Sequence, residues 1–375
     1  MKKLTAIVLA ILPFVFIFSC RKAEMGAEKI EHTEILSDPG TAPCYYPNVG
    51  VSVLAGNGVA SHTDGPIKTA GIASPMAMTS FNDITYFSTW GRLRRIQGGS
   101  ISTIYTHYSG PIGEYFITSL ATDSEGNIYA AIANEYVVRK ISPSGVVLAT
   151  YGVSGTSGYS NTSPFLFQQI SGIAVDLDGR LYIADKNYVV RRLNTDGTLQ
   201  LMAGQVGVFG TTDGSTAVAR FGINIGNLAV SPYGDNIYVE DLTRVRVINS
   251  GTVSTIAGSI YTGHVDGNGS SARFGDLNDI ELDASGNLYL TETYNSSSTS
   301  YCYIRKIIRM TTGLIPWKVT TLAGGVSGYA NGDGAVARFN ALWGITVNSS
   351  STTVLVADHG NNRIRKLSLT CVPTF

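Results

Sequence analysis

The stretch IAVDLDGRLYIADKNYVVRRLN, residues 173–194, decides the fold of this chain. Apolar and polar residues alternate in "IAVD", "LYIAD" and "VVRRL", which is the two-residue period of a β-strand. Gly179 interrupts the first pair of segments, and a glycine at that place predicts the turn of a hairpin. The stretch therefore predicts three consecutive antiparallel strands, here called A, B and C.

Similar segments recur along the chain about 45 to 65 residues apart, a spacing typical of repeat architectures. They begin at Met76, Leu120, Leu228, Ile280 and Ile345. Most copies are followed by a further apolar segment, such as "LQLMAG" or "VSTIAG", which supplies a strand D. A four-stranded sheet of this size cannot bury both faces alone, whereas radial packing of several sheets buries them. The sequence therefore predicts an all-β fold, a six-bladed β-propeller of four-stranded blades over residues 44–375.

The last copy has no strand D of its own, because strand C ends near Leu369 and the chain ends at Phe375. The repeat region opens with "VGVSVLAGNG" from Val49, and "VSVLAG" matches the strands D of the other copies. This segment precedes the first strand A and belongs to no earlier blade. We expect the N-terminal strand to complete the last blade and so close the ring.

The segments LYIADKNYVVRRL, IYVEDLTRVRVI and VLVADHGNNRIRKL resemble the NHL repeat family. The resemblance covers residues 51–369 and implies a propeller, commonly with six blades. It does not imply one activity, because this fold hosts enzymes, adhesins and scaffolds alike.

The N-terminus has the features of a bacterial lipoprotein. Residues 1–19 combine a basic start, "MKK", with a short apolar run, and this pattern predicts a signal peptide. The following Cys20 closes "IFSC", which resembles a lipobox and predicts acylation of that cysteine. The alternative is a cleaved secretory signal with an incidental cysteine. Residues 20–43 are polar and predict a flexible tether, which places the protein in the cell envelope, outside the cytoplasm.

Composition excludes one class of partner. The chain has 27 lysines and arginines against 27 aspartates and glutamates, and this neutrality removes the electrostatic basis for nucleic-acid binding.

Two groups of charged residues recur with the repeat and are predicted to serve the fold. Asp185, Asp241 and Asp358 end strand B in three copies, with Asn134 and Thr293 near the same place in two others. These acids are expected either to cap the turn between strands B and C or to pair with the arginines of strand C, which are otherwise solvated: Arg191, Arg244, Arg305 and Arg363.

One channel-facing position breaks the pattern. Small residues occupy it in five copies, Ala77, Ala121, Ala174, Ala229 and Thr346, whereas the fifth copy has Glu281. Asp279 lies two residues earlier on the same face, beside Asn278, and Trp343 starts strand A of the next copy. A carboxylate in so small a slot must be paired, reach the channel or have a raised pKa. The pair is either a locally satisfied ion pair or a binding site.

A second recurrence lies in the loops between strand D and the next strand A. Each of three loops ends in an arginine followed by an aromatic residue: Arg220-Phe221, Arg273-Phe274 and Arg338-Phe339. The phenylalanines are expected to fill the core between blades. The arginines either brace the loops through carbonyl groups or contact a partner.

A disulfide is predicted at the ring closure. Cys371 follows the last strand C and Cys44 precedes the closing strand D, so their bond would replace the missing turn. With this bond formed, Cys302 is the odd thiol; the alternative is that the two terminal cysteines are unpaired.

Two function classes remain open. The first is a membrane-anchored, extracytoplasmic binding or scaffold propeller that presents loops to a protein or glycan and needs no cofactor. The second is an envelope lyase or hydrolase with a metal near the central channel, served by Asp279 and Glu281. Calcium favours several oxygen ligands, and the strand A starts offer too few carboxylates for such a site.

Overall fold

The computed structural model describes residues 44–45, 49–107, 116–310, 316–370 and 372–373. These residues form six antiparallel sheets, one for each sequence repeat, and a separate two-stranded sheet. Strand A of every blade packs against strand A of both neighbours, and this contact closes a ring. The predicted six-bladed β-propeller is therefore confirmed.

The strands of each blade follow the order A, B, C and D across the sheet. Their bounds are, in blade 1, Pro75–Phe81, Ile84–Thr89, Arg92–Gln97 and Ser100–Thr106; in blade 2, Ile117–Thr122, Ile128–Ile132, Val137–Ile141 and Val147–Tyr151; and in blade 3, Ile170–Val175, Leu181–Asp185, Val189–Leu193 and Leu199–Gly204. The remaining bounds are, in blade 4, Ile225–Val230, Asn236–Asp241, Arg244–Asn249 and Thr252–Gly258; in blade 5, Asp276–Leu282, Leu288–Ser296, Thr299–Arg309 and Trp317–Val326; and in blade 6, Leu342–Val347, Thr353–Asp358, Arg363–Leu369 and Val49–Ala55. Three short 3-10 helices complete the described elements: Ala133–Glu135, Gly269–Ser271 and His359–Asn361.

The N-terminal strand closes the ring as the sequence predicted. Val49–Ala55 is strand D of blade 6 and pairs antiparallel with strand C of that blade, Arg363–Leu369. The pairing runs from Val49 opposite Leu369 to Ala55 opposite Ile364. The first and last strands of the propeller are thus neighbours in one sheet.

Four blades carry a fifth strand that the sequence analysis did not predict. Each is a two-residue strand outside strand D, in blades 1, 4, 5 and 6 respectively: Gly65–Pro66, Gly214–Ser215, Gly267–Asn268 and Gly332–Asp333. An acidic residue before the glycine explains three of them. Asp64, Asp213 and Asp266 accept hydrogen bonds from the backbone N–H groups of Thr103, Thr255 and Thr321 in strand D.

The core consists of six hydrophobic clusters in the described residues, each between two neighbouring blades. Phe221, Phe274 and Phe339 are fully buried members of three of these clusters, as expected from the loop recurrence. Phe167 has the same role between blades 2 and 3. Burial of a phenylalanine between blades therefore fixes the place of these four D-to-A loops.

The arginines at the middle of strand C are the second structural device of the repeat. Five of them are fully buried, each with a carboxylate partner: Arg94 with Asp64, Arg191 with Asp185, Arg246 with Asp241, Arg305 with Glu292 and Arg365 with Asp358. Each guanidinium also donates to carbonyl oxygens of the loop before its own blade, as Arg365 does to Ala330 and Arg338. The acids of strand B are thus structural, as predicted.

The position of these arginines corrects the sequence alignment in two blades. Arg246 and Arg365 occupy the buried position, whereas Arg244 and Arg363 lie two residues earlier on the strand. Arg244 still pairs with Asp241, and Arg363 donates to backbone carbonyls of Asn57 and Asn361. The turns between strands B and C differ in length. The number of residues between the acid of strand B and an arginine of strand C therefore does not show which arginine is buried.

Candidate functional site

The candidate site is the central channel, where the strands A of blades 1 to 5 line a cavity of about 120 Å³. The channel-lining position of strand A lies opposite a residue of strand B that is tyrosine in five blades and leucine in the sixth. This position holds Thr79, Ala121, Ala174, Ala229, Glu281 and Thr346 in blades 1 to 6. Blade 1 therefore contributes Thr79, and the assignment of Ala77 was wrong because only two residues separate its strands A and B.

Asp279 lies at the channel and links two blades. Its carboxylate accepts hydrogen bonds from the backbone N–H groups of Ile280 at 3.0 Å and of Ile345, in blade 6, at 2.9 Å. Burial raises the pKa of Asp279 to about 7, although the two amide donors oppose that shift. The side chain that was predicted as a ligand candidate is also a link between strands.

Glu281 is the carboxyl group of the channel with the fewest polar contacts among the described residues. Within the described residues its carboxylate has no hydrogen-bond partner and takes part in no salt bridge. Burial, and then the charge of Asp279, raise the pKa of Glu281 to about 8. Glu281 therefore forms no ion pair with the described residues. With a pKa of about 8, its side chain retains a proton near neutral pH.

A third carboxyl group, Glu240 of strand B in blade 4, was missed by the sequence analysis. It is 2% exposed, and one carboxylate oxygen accepts a hydrogen bond from the N–H of Asn227 at 3.1 Å, whereas the other has no partner among the described residues. Burial, and then Asp279, raise its pKa well above the ordinary value. The sequence feature that could have revealed it is a glutamate at a position of strand B where three other blades have an alanine: Ala131, Ala184 and Ala357.

Gly226 makes room for this buried glutamate. A methyl group at Gly226 would lie 2.8 Å from a carboxylate oxygen of Glu240, closer than van der Waals contact permits. Glu240 and Asp279 thus accept hydrogen bonds from backbone amides, Glu281 has no hydrogen-bond partner among the described residues, and no salt bridge of the described residues includes any of the three. The arrangement favours protons or hydrogen-bond donors. In the described part of the chain, no group of three or more His, Cys, Asp or Glu side chains is placed to hold a metal ion.

Asn278 and Trp343, the other predicted channel residues, lie at the beginning of strand A in blades 5 and 6. The side-chain amide of Asn278 donates to the Thr293 hydroxyl at 3.1 Å, and the backbone carbonyl oxygen of Asn278 accepts from the side-chain amide of Asn227 at 2.8 Å. Trp343 is 37% exposed, and its ring lies 5.7 Å from the ring of His359. Asn278 is engaged in blade contacts, whereas the indole remains accessible.

The three loop arginines divide between the two predicted roles. Arg220 donates to carbonyl oxygens of Ala217, Val218 and Ala219, and Arg338 donates to those of Ala335 and Ala337, so both brace their own loops. Arg273 is exposed and lies over the ring of Tyr261, 5.9 Å from its centroid. Of the three, Arg273 is the one whose contacts leave it available to a partner.

Exposed aromatic residues mark one end of the propeller. The connections from D to A and from B to C share this end, because alternate strands run in opposite directions, and we call it the loop face. Phe209 and Tyr261, in D-to-A loops, are 62% and 65% exposed, and Trp343 begins a strand A at the same end. Apolar rings left in water at one end of a repeat fold are typical of an interaction surface.

A larger cavity, about 300 Å³, lies between blades 2 and 3 at the opposite end. The A-to-B and C-to-D turns form it, and most of its charged groups are already paired. Lys140 contacts Asp123 at 2.9 Å, and Asp178 contacts Arg180 at 2.9 Å. We place the candidate site at the channel and loop face because uncommitted side chains are found there.

Comparison with known proteins defines the class of this protein by its fold. No family model and no curated protein matches the chain. Solved structures do: a protein of unknown function from Bacteroides thetaiotaomicron has 19% identity and a TM-score of 0.65 over 86% of this chain and 76% of its own. This likeness confirms a six-bladed β-propeller, whereas membership of the NHL repeat family stays a prediction.

Two further solved structures have a functional description. Auxiliary nutrient binding proteins from Bacteroides thetaiotaomicron and Bacteroides ovatus share 18% and 16% identity with this chain, with TM-scores of 0.63 and 0.62. The matches cover 86% and 87% of this chain and 77% and 78% of the other two. At such identities the likeness establishes the fold alone.

Proposed function

We propose that this protein is a membrane-anchored, extracytoplasmic binding propeller that presents its loop face to a protein or glycan partner. The observation that carries the proposal is the exposure of Phe209, Tyr261 and Trp343 at that one end. The recurrent charged residues, by contrast, are committed to holding blades and loops together. A surface rich in accessible aromatic rings suits recognition, because rings supply large contact areas at low entropic cost.

The solved structures support the same reading by analogy. Two of the propellers that this chain resembles are described as auxiliary nutrient binding proteins. We propose a related ligand-capturing role outside the cytoplasm for this chain, with Cys20 as lipid attachment and residues 20–43 as the tether. Both lie outside the described residues, and the described part of the chain contains no helix with the length and apolarity needed to cross a membrane.

A second candidate function is catalysis at the channel. The raised pKa values of Asp279 and Glu281 favour it, because acid–base chemistry needs carboxyl groups that change protonation near neutral pH. The double hydrogen bond of Asp279 to backbone amides instead suits a structural role. Metal analysis of the purified protein separates the two, since stoichiometric calcium or zinc would support the metal-dependent lyase or hydrolase.

The experiment for the binding function compares the two ends of the propeller. Purified protein is assayed against a glycan array and against cell-envelope fractions, and the strongest ligand is then titrated. The triple variant Phe209→Ala, Tyr261→Ala, Trp343→Ala is expected to weaken binding by about tenfold or more, because truncated aromatic anchors dominate affinity. The matched control is Leu177→Ala with Tyr233→Ala, two exposed residues of the opposite end. Equal affinities of the two variants would overturn the proposal.

A further inference from the structure

The hairpin between strands B and C of blade 5 is longer than that of any other blade in the described residues. Its strands have nine and eleven residues, whereas strands B and C elsewhere have five to seven. Three residue pairs extend beyond Thr293 and Cys302, namely Tyr294 with Tyr301, Asn295 with Ser300 and Ser296 with Thr299. At the rise of a β-strand, three residues add roughly 10 Å of hairpin at the loop face.

Three tyrosines of this hairpin form a ladder on one face. Tyr301 and Tyr303 are two residues apart on one strand, and Tyr294 is the cross-strand partner of Tyr301. The rings of Tyr301 and Tyr303 are nearly parallel, with an angle of 6° and centroids 6.1 Å apart. The ring of Tyr294 lies 6.0 Å from that of Tyr301. The result is a row of rings that share one side of the hairpin.

The base of this tyrosine ladder is held in place by the fold. The His264 ring stacks on Tyr303 at 3.5 Å and 10°, and its two nitrogens contact the Thr321 hydroxyl at 3.2 Å and the Arg305 guanidinium at 3.1 Å. Arg305 is itself buried against Glu292. Because its lowest ring is fixed in this way, the ladder is preorganised, and little ordering cost remains for a ligand.

The ladder has no packing role in the propeller. None of its three rings belongs to an interblade cluster, whereas Cys302 and Ile304, which alternate with Tyr301 and Tyr303, are buried against blade 6. The three rings are partly exposed, and within the described residues their hydroxyl groups form no hydrogen bond. The hydroxyl groups, and the parts of the rings that His264 does not cover, are therefore available to a ligand.

We propose that the tyrosine ladder binds a neutral saccharide chain, a conclusion that deepens the binding function proposed above. The apolar C–H face of a pyranose stacks on an aromatic ring. The nearly parallel rings of Tyr301 and Tyr303, with Tyr294 tilted by 31° from Tyr301, would receive successive sugar residues. The hairpin tip, NSSSTS from Asn295 to Ser300, supplies amide and hydroxyl groups for sugar hydroxyls. It contains no carboxylate, lysine or arginine, so its chemistry suits an uncharged chain. A protein partner would instead require a pocket for an anchoring side chain.

The test is affinity electrophoresis of the full chain in gels that contain β-1,3-glucan, β-1,4-glucan, β-1,4-xylan, β-1,4-mannan or α-1,4-glucan. The wild type is expected to be retarded by at least one of them. Tyr301→Ala and the double variant Tyr294→Ala, Tyr301→Ala are expected to weaken binding about tenfold or more, since an aromatic platform is lost. Tyr301→Phe retains the ring and is expected to stay within about threefold of the wild type.

Controls separate this proposal from the broader one. Tyr233→Ala removes an exposed tyrosine from the opposite end and is expected to leave retardation unchanged. Thermal unfolding checks that each variant is folded. Retardation by none of the polysaccharides, or equal retardation of Tyr301→Ala and wild type, would overturn the ladder site. The broader binding function would then still be judged by the Phe209, Tyr261 and Trp343 variant.

Discussion

The carboxylate of Asp279 accepts a hydrogen bond from the backbone N–H of Ile345 at 2.9 Å, which ties strand A of blade 5 to strand A of blade 6. Ser119 does the same for Ile173, between blades 2 and 3, at 3.0 Å. The two acceptors occupy matching places in their strands. Asp279 is therefore a charged version of a link that a hydroxyl group provides elsewhere in the ring.

We expect Asp279→Ala to lower the free energy of unfolding by about 1–3 kcal/mol, because the Ile345 N–H would be left buried without an acceptor. Asp279→Asn keeps one acceptor oxygen for the Ile345 N–H but loses the oxygen that serves Ile280, so it should lose less stability than the alanine variant. Urea unfolding at pH 7 measures both. Equal stability of the alanine and asparagine variants would contradict the link.

Glu281 gives a pH-dependent prediction. Its folded pKa of about 8 exceeds the ordinary value of 4.5, so the folded state binds the proton more tightly. Stability conferred by the protonated form is fully present below about pH 4.5 and is lost as the pH rises through about 8. Glu281→Gln should therefore be more stable than the wild type at pH 8.5, by on the order of 2 kcal/mol after allowance for water in the channel.

The measurement is chemical denaturation of wild type and Glu281→Gln from pH 4 to pH 9. The difference between them should shrink towards acid pH. Glu281→Thr, which copies Thr79 and Thr346, is a second variant that should remain folded. Parallel stability profiles of wild type and Glu281→Gln would show that Glu281 ionises normally in the channel.

The buried arginines should be more sensitive than their exposed neighbours. Arg365→Met leaves the buried carboxylate of Asp358 without its partner at 2.8 Å, and we expect a loss of about 3–5 kcal/mol. Arg363→Met is the matched control on the same strand, two residues away and partly exposed, and it should cost less than about 1 kcal/mol. Urea unfolding measures both losses. Similar losses in the two variants would show that the buried pair of Arg365 and Asp358 does not hold the blade and its loop together.

A Cys44–Cys371 disulfide remains a prediction, because Cys371 lies outside the described residues. The short sheet in which Cys44–Tyr45 pairs with Val372–Pro373 brings the two ends of the chain together, but it sets Cys44 opposite Pro373. Cys302 is fully buried as a free thiol in blade 5. Closing a loop of roughly 330 residues would stabilise the fold by about 5 kcal/mol in the chain-entropy model, an upper figure.

Peptide mapping without reduction checks the disulfide. A cross-linked peptide that contains Cys44 and Cys371 is expected, and it should persist in a Cys302→Ser variant. Free thiols at both positions, or a bond from either one to Cys302, would exclude it.

The lipid anchor is tested in the native host. Cys20 lies outside the described residues, and its acylation is predicted from "IFSC" alone. Cys20→Ser should abolish acylation and move the protein from the detergent-rich phase to the aqueous phase of a partitioning assay. Partitioning that does not change would show that residue 20 carries no lipid.

Alternation along the strands was enough to predict the six blades and the closure by Val49–Ala55, since burial between blades imposes the period on every repeat. Position within a blade was harder to predict. Because the turns differ in length, alignment of the repeats chose Ala77, Arg244 and Arg363. The equivalent positions in the structure are held by Thr79, Arg246 and Arg365. A repeat can be recognised without knowing these lengths, but a site residue cannot be placed without them.

Contacts made across blades were beyond sequence reasoning. Nothing near Glu240 in the sequence indicates that the charge of Asp279 raises its pKa, because strand B of blade 4 and strand A of blade 5 are far apart in the chain and come together only in the fold. The tyrosine ladder was hidden for a similar reason. Its lowest ring is positioned by His264, which lies 39 residues before Tyr303.

The pairing of Val49–Ala55 with Arg363–Leu369 also sets an order of events during synthesis. The first strand to leave the ribosome must wait, unpaired, for the last, so blade 6 cannot form until nearly the whole chain is present. An unpaired strand edge attracts other chains, and such a long separation between partners slows folding. Truncation by even the final ten residues would remove much of that partner strand, so premature termination should yield aggregates and not a five-bladed product.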